Sequence, residues 1–371
     1  MGRVAGTSKM TGISPTNTPL RFPWRGLLFP MALTLTLLVV VSRRSNAASL
    51  LSTFRSGDPL WLVTGFFVQL LFFTNQSLFY QSVCRVFGVV LPFRQLLPPV
   101  LSTNFVNIVA PLGSGSGIAL FAAELRTKGV SASRAVIINL LYYLLDYAAF
   151  LVTLMFGLTY LFLHHDLKSY EIAATLLLLG VIAIVVLAAL FTFAHEQRLK
   201  RLLTHLGKLL NFASRIIRRP PMLRDEHVAG IAADILAATQ TMLASRAHIL
   251  RPILHGFMIE ILDICLLTCL FMAFHTPTHL GVIITGYGIA VLFMIVSITP
   301  QGLGVVETVM TVVFTSLGIP LHVAAVVTLT YRGMTFWLPF LFGFLSLRHL
   351  DFLKSSAVLR SRPSEGDGHA E

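Results

Sequence analysis

A chain of 371 residues has room for two or three soluble domains, but 55% of this one is hydrophobic, 12% is charged and its mean hydropathy is +0.79. A soluble protein of that size cannot bury so much apolar surface, and its 28 Lys and Arg and 16 acids are gathered into short stretches between long uncharged runs. The composition indicates an integral membrane protein that is membrane domain for nearly its whole length. It excludes a disulfide framework, because Cys84, Cys265 and Cys269 all lie in apolar runs, and a built-in ATP motor, because no P-loop occurs. No metal spacing or cofactor motif is present, and the net charge of +12 is what membrane topology demands and does not point to nucleic acid.

Residues 1–25 carry Arg3, Lys9, Arg21 and Arg25 without an acid and are rich in Ser, Thr, Pro and Gly, so they are expected to be a disordered cytoplasmic tail. Apolar runs follow at 26–42, 59–84, 95–123, 134–163, 171–194, 251–274, 276–306 and 308–347. About 20 apolar residues cross the hydrocarbon as a helix, so most of these runs are single spans. The first resembles a signal peptide, yet Arg43 and Arg44 directly after it favour an uncleaved anchor. Two stretches are broken in the middle: 95–123 by Pro98, Pro99, Pro111, Gly113, Gly115 and Gly117, and 281–317 by Pro300, Gly302 and Gly304. Each predicts a re-entrant hairpin whose tip lies inside the bilayer. The loop 195–250 carries the clearest cytoplasmic charge. Its first part reads as a basic amphipathic helix, with Leu199, Leu202, Leu203, Leu206, Leu209 and Leu210 on one side, suited either to the inner leaflet or to the protein's own cytoplasmic face. The expected fold is an all-α polytopic membrane protein of about six full spans plus two re-entrant helical hairpins, with a transmembrane domain at 26–350, a polar tail at 351–371 and both termini cytoplasmic in the plasma membrane. Arg43, Arg44 and Arg55 then fall on the outer side.

Within that domain the chain repeats itself. Pro111 and Pro300 are each followed by glycines two and four places on (Gly113 and Gly115; Gly302 and Gly304), by Gly129 and Gly318 at the same distance, by Ala135 and Ala324, and by Tyr142 and Tyr331. Repeat one, 59–163, is a span, a hairpin and a span; repeat two, 251–347, has the same order but begins on the other side of the membrane. Inverted repeats with interrupted helices are a transporter architecture, because broken backbone is tolerated at membrane depth only where it is buried or lines a cavity.

Asp146, Glu260, Asp263, Glu307 and Arg332 all fall within apolar runs, where each would cost about 2.5–3.5 kcal/mol if it faced lipid near the centre. Glu260 and Asp263 share a helix face. These groups fit two readings: a structural pair between Arg332 and one of the acids, or a polar cavity that holds a charged headgroup or a proton. The returning hairpin arms start after Gly113–Gly117 and after Gly302–Gly304, so their free amides suit a phosphate, while Glu307 either caps its helix or meets a cationic group.

Asn104-Phe105-Val106-Asn107 leading into Pro111-Leu112-Gly113-Ser114-Gly115-Ser116-Gly117, then Leu144-Leu145-Asp146, and later Pro300-Gln301-Gly302-Leu303-Gly304-Val305-Val306-Glu307 and Tyr331-Arg332-Gly333-Met334-Thr335-Phe336-Trp337, resembles the flippase-like transmembrane region of lysylphosphatidylglycerol synthase. The resemblance runs from about 26 to 350 and implies a domain that moves lipids between leaflets, here without a soluble synthase domain after it, and therefore not expected to be an enzyme. Tyr143 stands where many relatives carry an arginine three residues before Asp146. The substrate path implied by motif and polarity takes in Asn104, Asn107, Gly113, Gly115, Gly117, Asp146, Glu260, Asp263, Pro300, Gly302, Gly304, Glu307 and Arg332. Expected partners are membrane lipids, phospholipid or polyprenyl phosphate, and a separate lipid-modifying synthase or glycosyltransferase. The alternative is an accessory subunit, or an enzyme, of lipid-linked sugar or aminoacyl-lipid metabolism.

Overall fold

A computed structural model describes residues 47–109, 114–164, 180, 246–297 and 299–360. The tail 1–25, the span 26–42, all of the span 171–194 except Gly180, the amphipathic segment 195–219, Gly113 and the last eleven residues lie outside them. The described residues are helical, without a strand. In chain order they form α1 (Ala47–Arg55), α2 (Pro59–Val86), α3 (Phe93–Val109), α4 (Ser114–Thr127), α5 (Ala132–His164), α6 (Arg246–Ala273), α7 (Leu280–Val296), a 3-10 turn (Pro300–Gly302), α8 (Val305–Ser316), α9 (Leu321–Arg332), a π turn (Gly333–Trp337) and α10 (Leu338–Arg360).

Among them three stretches, Pro59–Val86, Arg134–Leu163 and Leu250–Ala273, are long and apolar enough to cross a membrane. The arms α3 and α4 have 17 and 14 residues and α7 and α8 have 17 and 12, all below the roughly 20 needed for a straight crossing. With its apolar helices in series, the chain is a multi-pass membrane protein.

Local chemistry sets the helix ends. Asp58 caps α2 by accepting the Leu60 N–H on Oδ1 at 2.8 Å, with Pro59 already holding the first-turn φ. Gly129 (φ 82°) ends α4 and Gly318 (φ 91°) ends α8 with the same closing hydrogen bonds: Val130 N to Leu125 O at 3.2 Å, and Ile319 N to Phe314 O at 3.0 Å. Gly88 and His275 end α2 and α6 in the same way, His275 adopting the left-handed conformation (φ 54°) that Gly88 takes without a Cβ. The π turn follows from Pro339, which cannot donate to the carbonyl four residues before it, so the helix widens at Gly333–Trp337 and does not break.

The two 28-residue helices, α2 and α6, run antiparallel. Along α2 and α6, Gly57 meets Phe274, Gly65 meets Leu266, Asn75 meets His255 and Phe79 meets Gly256. Two further antiparallel pairs flank them. On α3 and α10, Ser346 Oγ donates to Pro98 O at 2.9 Å, Gly343 abuts the Leu101 carbonyl, and the rings of Phe105 and Phe340 are 5.1 Å apart. On α5 and α7, Tyr160 lies on Gly281, Gly157 on Thr285 and Leu154 on Gly288, with Thr285 Oγ1 donating to Gly157 O at 2.8 Å. The helix that follows α2 thus lies on α10, and the helix that follows α6 lies on α5.

Small residues allow these approaches, as expected where lipid tails compete for every apolar contact. The apolar interior divides accordingly: one cluster joins α2 to α5, one joins α6 to α9 with the far end of α5, and a third sits where Phe105, Leu303, Phe336 and Phe340 meet. Charge separates by end. Arg85, Arg94, Arg126, Lys128, Arg134, Arg251 and Arg348 lie at one end, while the turns at 56–58, 274–280 and 317–320 of the other carry Asp58 and histidines, with Arg55 just before them.

Candidate functional site

The charged residues expected in the membrane interior occupy two neighbouring places. Arg332, at the end of α9, donates from Nε to Glu307 Oε1 at 2.9 Å and from Nη2 to the Gln301 carbonyl at 3.0 Å, and its guanidinium stands 5.2 Å from the Phe336 ring centre. Glu307 uses its second oxygen to accept the Gly304 N–H at 2.7 Å, so it caps α8. The pair is buried, with 7% exposure on each residue, and both Glu307 oxygens and the Nε and Nη2 of Arg332 have a fixed partner. Gln301 sits at φ 53°, followed by Gly302 at φ 64° in the turn before α8, so Arg332 also clamps a strained turn. Among the acids that the sequence offers Arg332, the one it meets is Glu307. Pro300, Gly302 and Gly304 form the turn that this pair holds.

Asp146, Glu260 and Asp263 are the second place. Asp263 is buried and accepts from Tyr331 OH on Oδ1 at 3.1 Å and from Tyr287 OH on Oδ2 at 3.4 Å. Glu260, one turn earlier on α6 and 4% exposed, leaves Oε2 enclosed without a hydrogen-bond partner. Asp146 reaches in from α5, its Oδ1 also enclosed and unpartnered. The three carboxyl groups are within electrostatic reach of one another, and among the described residues none is in an ion pair.

A polar network continues from Asp146 toward α3 and α4. Tyr142 and Tyr80 stack at 3.9 Å with rings 8° from parallel, and Tyr143 packs edge-on to Tyr142. Gln76 donates to Tyr142 OH at 3.3 Å and exchanges hydrogen bonds with Asn104, at 2.8 Å and 3.3 Å. Asn107 donates to Tyr143 OH at 3.4 Å and keeps its Oδ1 enclosed without a partner. Gly117 packs so closely on Asn107 and Thr103 that a Cβ there would collide with both. Gly115 and Gly117 lie in the first turn of α4 and not ahead of it, because α4 begins at Ser114 and the close crossing with α3 needs a glycine inside the helix. Together Asn104, Asn107, Asp146, Glu260 and Asp263 belong to one belt that runs from α3 through α2 and α5 to α6, α7 and α9.

The tyrosines of this belt escape a reading of the sequence alone. Tyr80 and Tyr287 look like core aromatics in apolar runs, Tyr143 stands out there only for the arginine it replaces, and Tyr142 and Tyr331 only as repeat or motif markers. Asn75 and His255 are missed for another reason, being 180 residues apart: Asn75 donates to the His255 carbonyl at 2.9 Å, and its Oδ1 lies 2.6 Å from His255 Nδ1. Asn75→Leu strands the histidine, and we expect a loss of about 1–3 kcal/mol in detergent unfolding, with Asn75→Leu/His255→Leu costing less than the two single changes summed.

A recess of about 570 Å³ opens at the basic end, lined by Val89, Leu91, Lys128, Ser131 and Arg134 among others. It lies between the α2–α3 turn and the α4–α5 turn.

Comparison with known proteins adds a family. Residues 27–343 match the model described as the lysylphosphatidylglycerol synthase TM region. The chain is 24% identical over 288 residues to a UPF0104 membrane protein of Methanothermobacter thermautotrophicus, covering 76% of this chain and 83% of that one. It is 25% identical over 299 residues to a UPF0104 membrane protein of Methanocaldococcus jannaschii, covering 78% and 84%.

Proposed function

This chain belongs to the lysylphosphatidylglycerol synthase transmembrane-region family, and from that membership and the polar belt we propose that it is a carrier, not an enzyme, that moves a lipid with a phosphate-bearing headgroup between leaflets. The belt is the observation that carries the reading: a line of carboxyl, amide and phenol groups through an apolar bundle offers a headgroup a path while the tails stay in the bilayer.

Three features support inverted repeats around that path. The helix α2 is antiparallel to α6, its counterpart in order; the α3–α10 contact has its counterpart in α7–α5; and the caps at Gly129 and Gly318 match bond for bond. Gln76 with Tyr142 in one unit corresponds to Asp263 with Tyr331 in the other. The short arms α3/α4 and α7/α8 fit hairpins that turn back inside the bilayer. We assign the basic end to the cytoplasm by the positive-inside rule, which puts both termini inside, and take the plasma membrane as its place. The recess beside Lys128 and Arg134 is then at headgroup level of the inner leaflet and suits an anionic phospholipid.

The test is leaflet exchange in proteoliposomes holding the full chain, offered labelled phosphatidylglycerol, phosphatidylcholine and a polyprenyl phosphate in turn. We expect exchange of an anionic lipid, reduced at least tenfold in Glu260→Gln, and a weaker apparent affinity for that lipid in Lys128→Ala/Arg134→Ala. Absence of exchange for all three lipids would replace the carrier by an accessory subunit of a separate lipid-modifying synthase or glycosyltransferase.

A further inference from the structure

The carrier reading leaves open what drives movement, and the three carboxyl groups bear on it. Two helices from different units bring them together, Asp146 on α5 and Glu260 with Asp263 on α6. The described helices bring titratable groups to them from several sides. Tyr80 comes from α2, Tyr142, Tyr143 and Tyr147 from α5, His255 from the previous turns of α6, Tyr287 from α7 and Tyr331 from α9, while α3 presents the amides Asn104 and Asn107. Arg332, which follows the Tyr331 that donates to Asp263, is committed to Glu307. Nothing described here neutralises three carboxylates.

The oxygens distinguish the three. Asp263 has a phenol donor on each oxygen, the pattern of an ionised group. Glu260 Oε2 and Asp146 Oδ1 have no donor and no water-accessible surface, a costly arrangement for a charged oxygen and a suitable one for a carboxylic acid. Like charges within electrostatic reach of one another, with oxygens closed off from water, cannot all be kept, so a bound proton takes the place of a cation.

We propose that Asp146, Glu260 and Asp263 form a proton-binding site at the junction of the two units, loaded from water on one side of the membrane and discharged to the other as the units move, so that lipid movement is coupled to a proton gradient. The chemistry is a carboxylate taking one proton from water to become a carboxylic acid and returning it on the other side; no further reactant is needed. Because the site joins α5 to α6, any rocking of one unit against the other changes which water reaches it. The proposal rests on the carrier reading, and the experiment separates the two.

Proteoliposomes with the full chain and labelled phosphatidylglycerol are given a gradient of one pH unit in either direction. With one proton per lipid the final ratio of label between leaflets should shift by up to about tenfold and reverse when the gradient is reversed. In Glu260→Gln and Asp146→Asn, checked for unchanged melting, the ratio should be one in both directions. A ratio of one in the wild type, with exchange present, overturns the proposal. If no lipid moves at all the carrier reading fails, and infrared spectra of the purified protein then decide the site alone. A protonated-carboxyl band at neutral pH that shifts in heavy water and is lost in Glu260→Gln or Asp146→Asn sustains it; absence of that band overturns it.

Discussion

Arg332→Ala lowers the stability of the protein by about 3–5 kcal/mol, read as a large fall in melting temperature or denaturant midpoint in detergent. The size follows from what the change leaves behind. Glu307 would be a buried carboxylate without a counter-charge, the Gln301 carbonyl would lose its donor, and the strained turn at Gln301 would lose the group that holds it. Glu307→Gln should cost less, because the amide oxygen can still accept from Gly304 N–H or from Arg332 Nε, though not with the full strength of a charged acceptor. Arg332→Gln/Glu307→Gln should recover part of the loss, since two neutral amides remove the buried charge altogether. A transport defect in Arg332→Ala that appears without any loss of stability would contradict this account and return Arg332 to the substrate path.

Gly343→Val should cost about 3 kcal/mol, and Gly157→Val a comparable amount, by forcing apart the two flanking helix pairs. At Gly343 a Cβ would run into the Leu101 carbonyl and Phe105, both backbone-fixed on α3. At Gly157 it would stand 3.0 Å from Thr285 Cα and crowd the hydrogen bond from Thr285 Oγ1. Neither glycine touches the polar belt's charged groups, so each variant tests the scaffold alone. Thermal unfolding of the purified variants, with Gly180→Ala as a control at a position where a Cβ meets nothing within 4 Å, measures the effect.

How far the sequence carries can be judged from particular residues. The breaks at Pro300, Gly302 and Gly304 were legible, because positive φ and missing donors are local demands that only certain residues meet; Gly129 and Gly318, which the sequence offered only as repeat markers, end their helices by the same demand. The interior position of Asp146, Glu260 and Asp263 was legible as well, since a charge in an apolar run has few places to go. Partner choice was not. Arg332 had Glu260, Asp263 and Glu307 within a plausible fold, and only the course of the turn at Gln301 brings Glu307 to it. The tyrosines stayed hidden because a phenol satisfies an apolar pattern and a hydrogen bond equally well; what sets Tyr287 and Tyr331 apart is the carboxylate of Asp263, which comes from another helix. Asn75 and His255 required the antiparallel register of α2 on α6, which no local signal specifies.

The caps at Gly129 and Gly318 also bear on ancestry. If the two units descend from one half-length gene, its product had to insert in both directions to make a pair like this one, and a chain that inserts both ways must be nearly balanced in charge between its two ends. The present molecule is not balanced. Lys and Arg crowd the turns around 85–94 and 126–134 of the first unit, whereas the counterpart turns at 272–281 and 315–323 of the second carry His275, His279 and His322 and no Lys or Arg. Fusion frees each half to commit to one direction, and on this view the histidines mark where positive charge was lost, or never gained, once the second half had settled upside down.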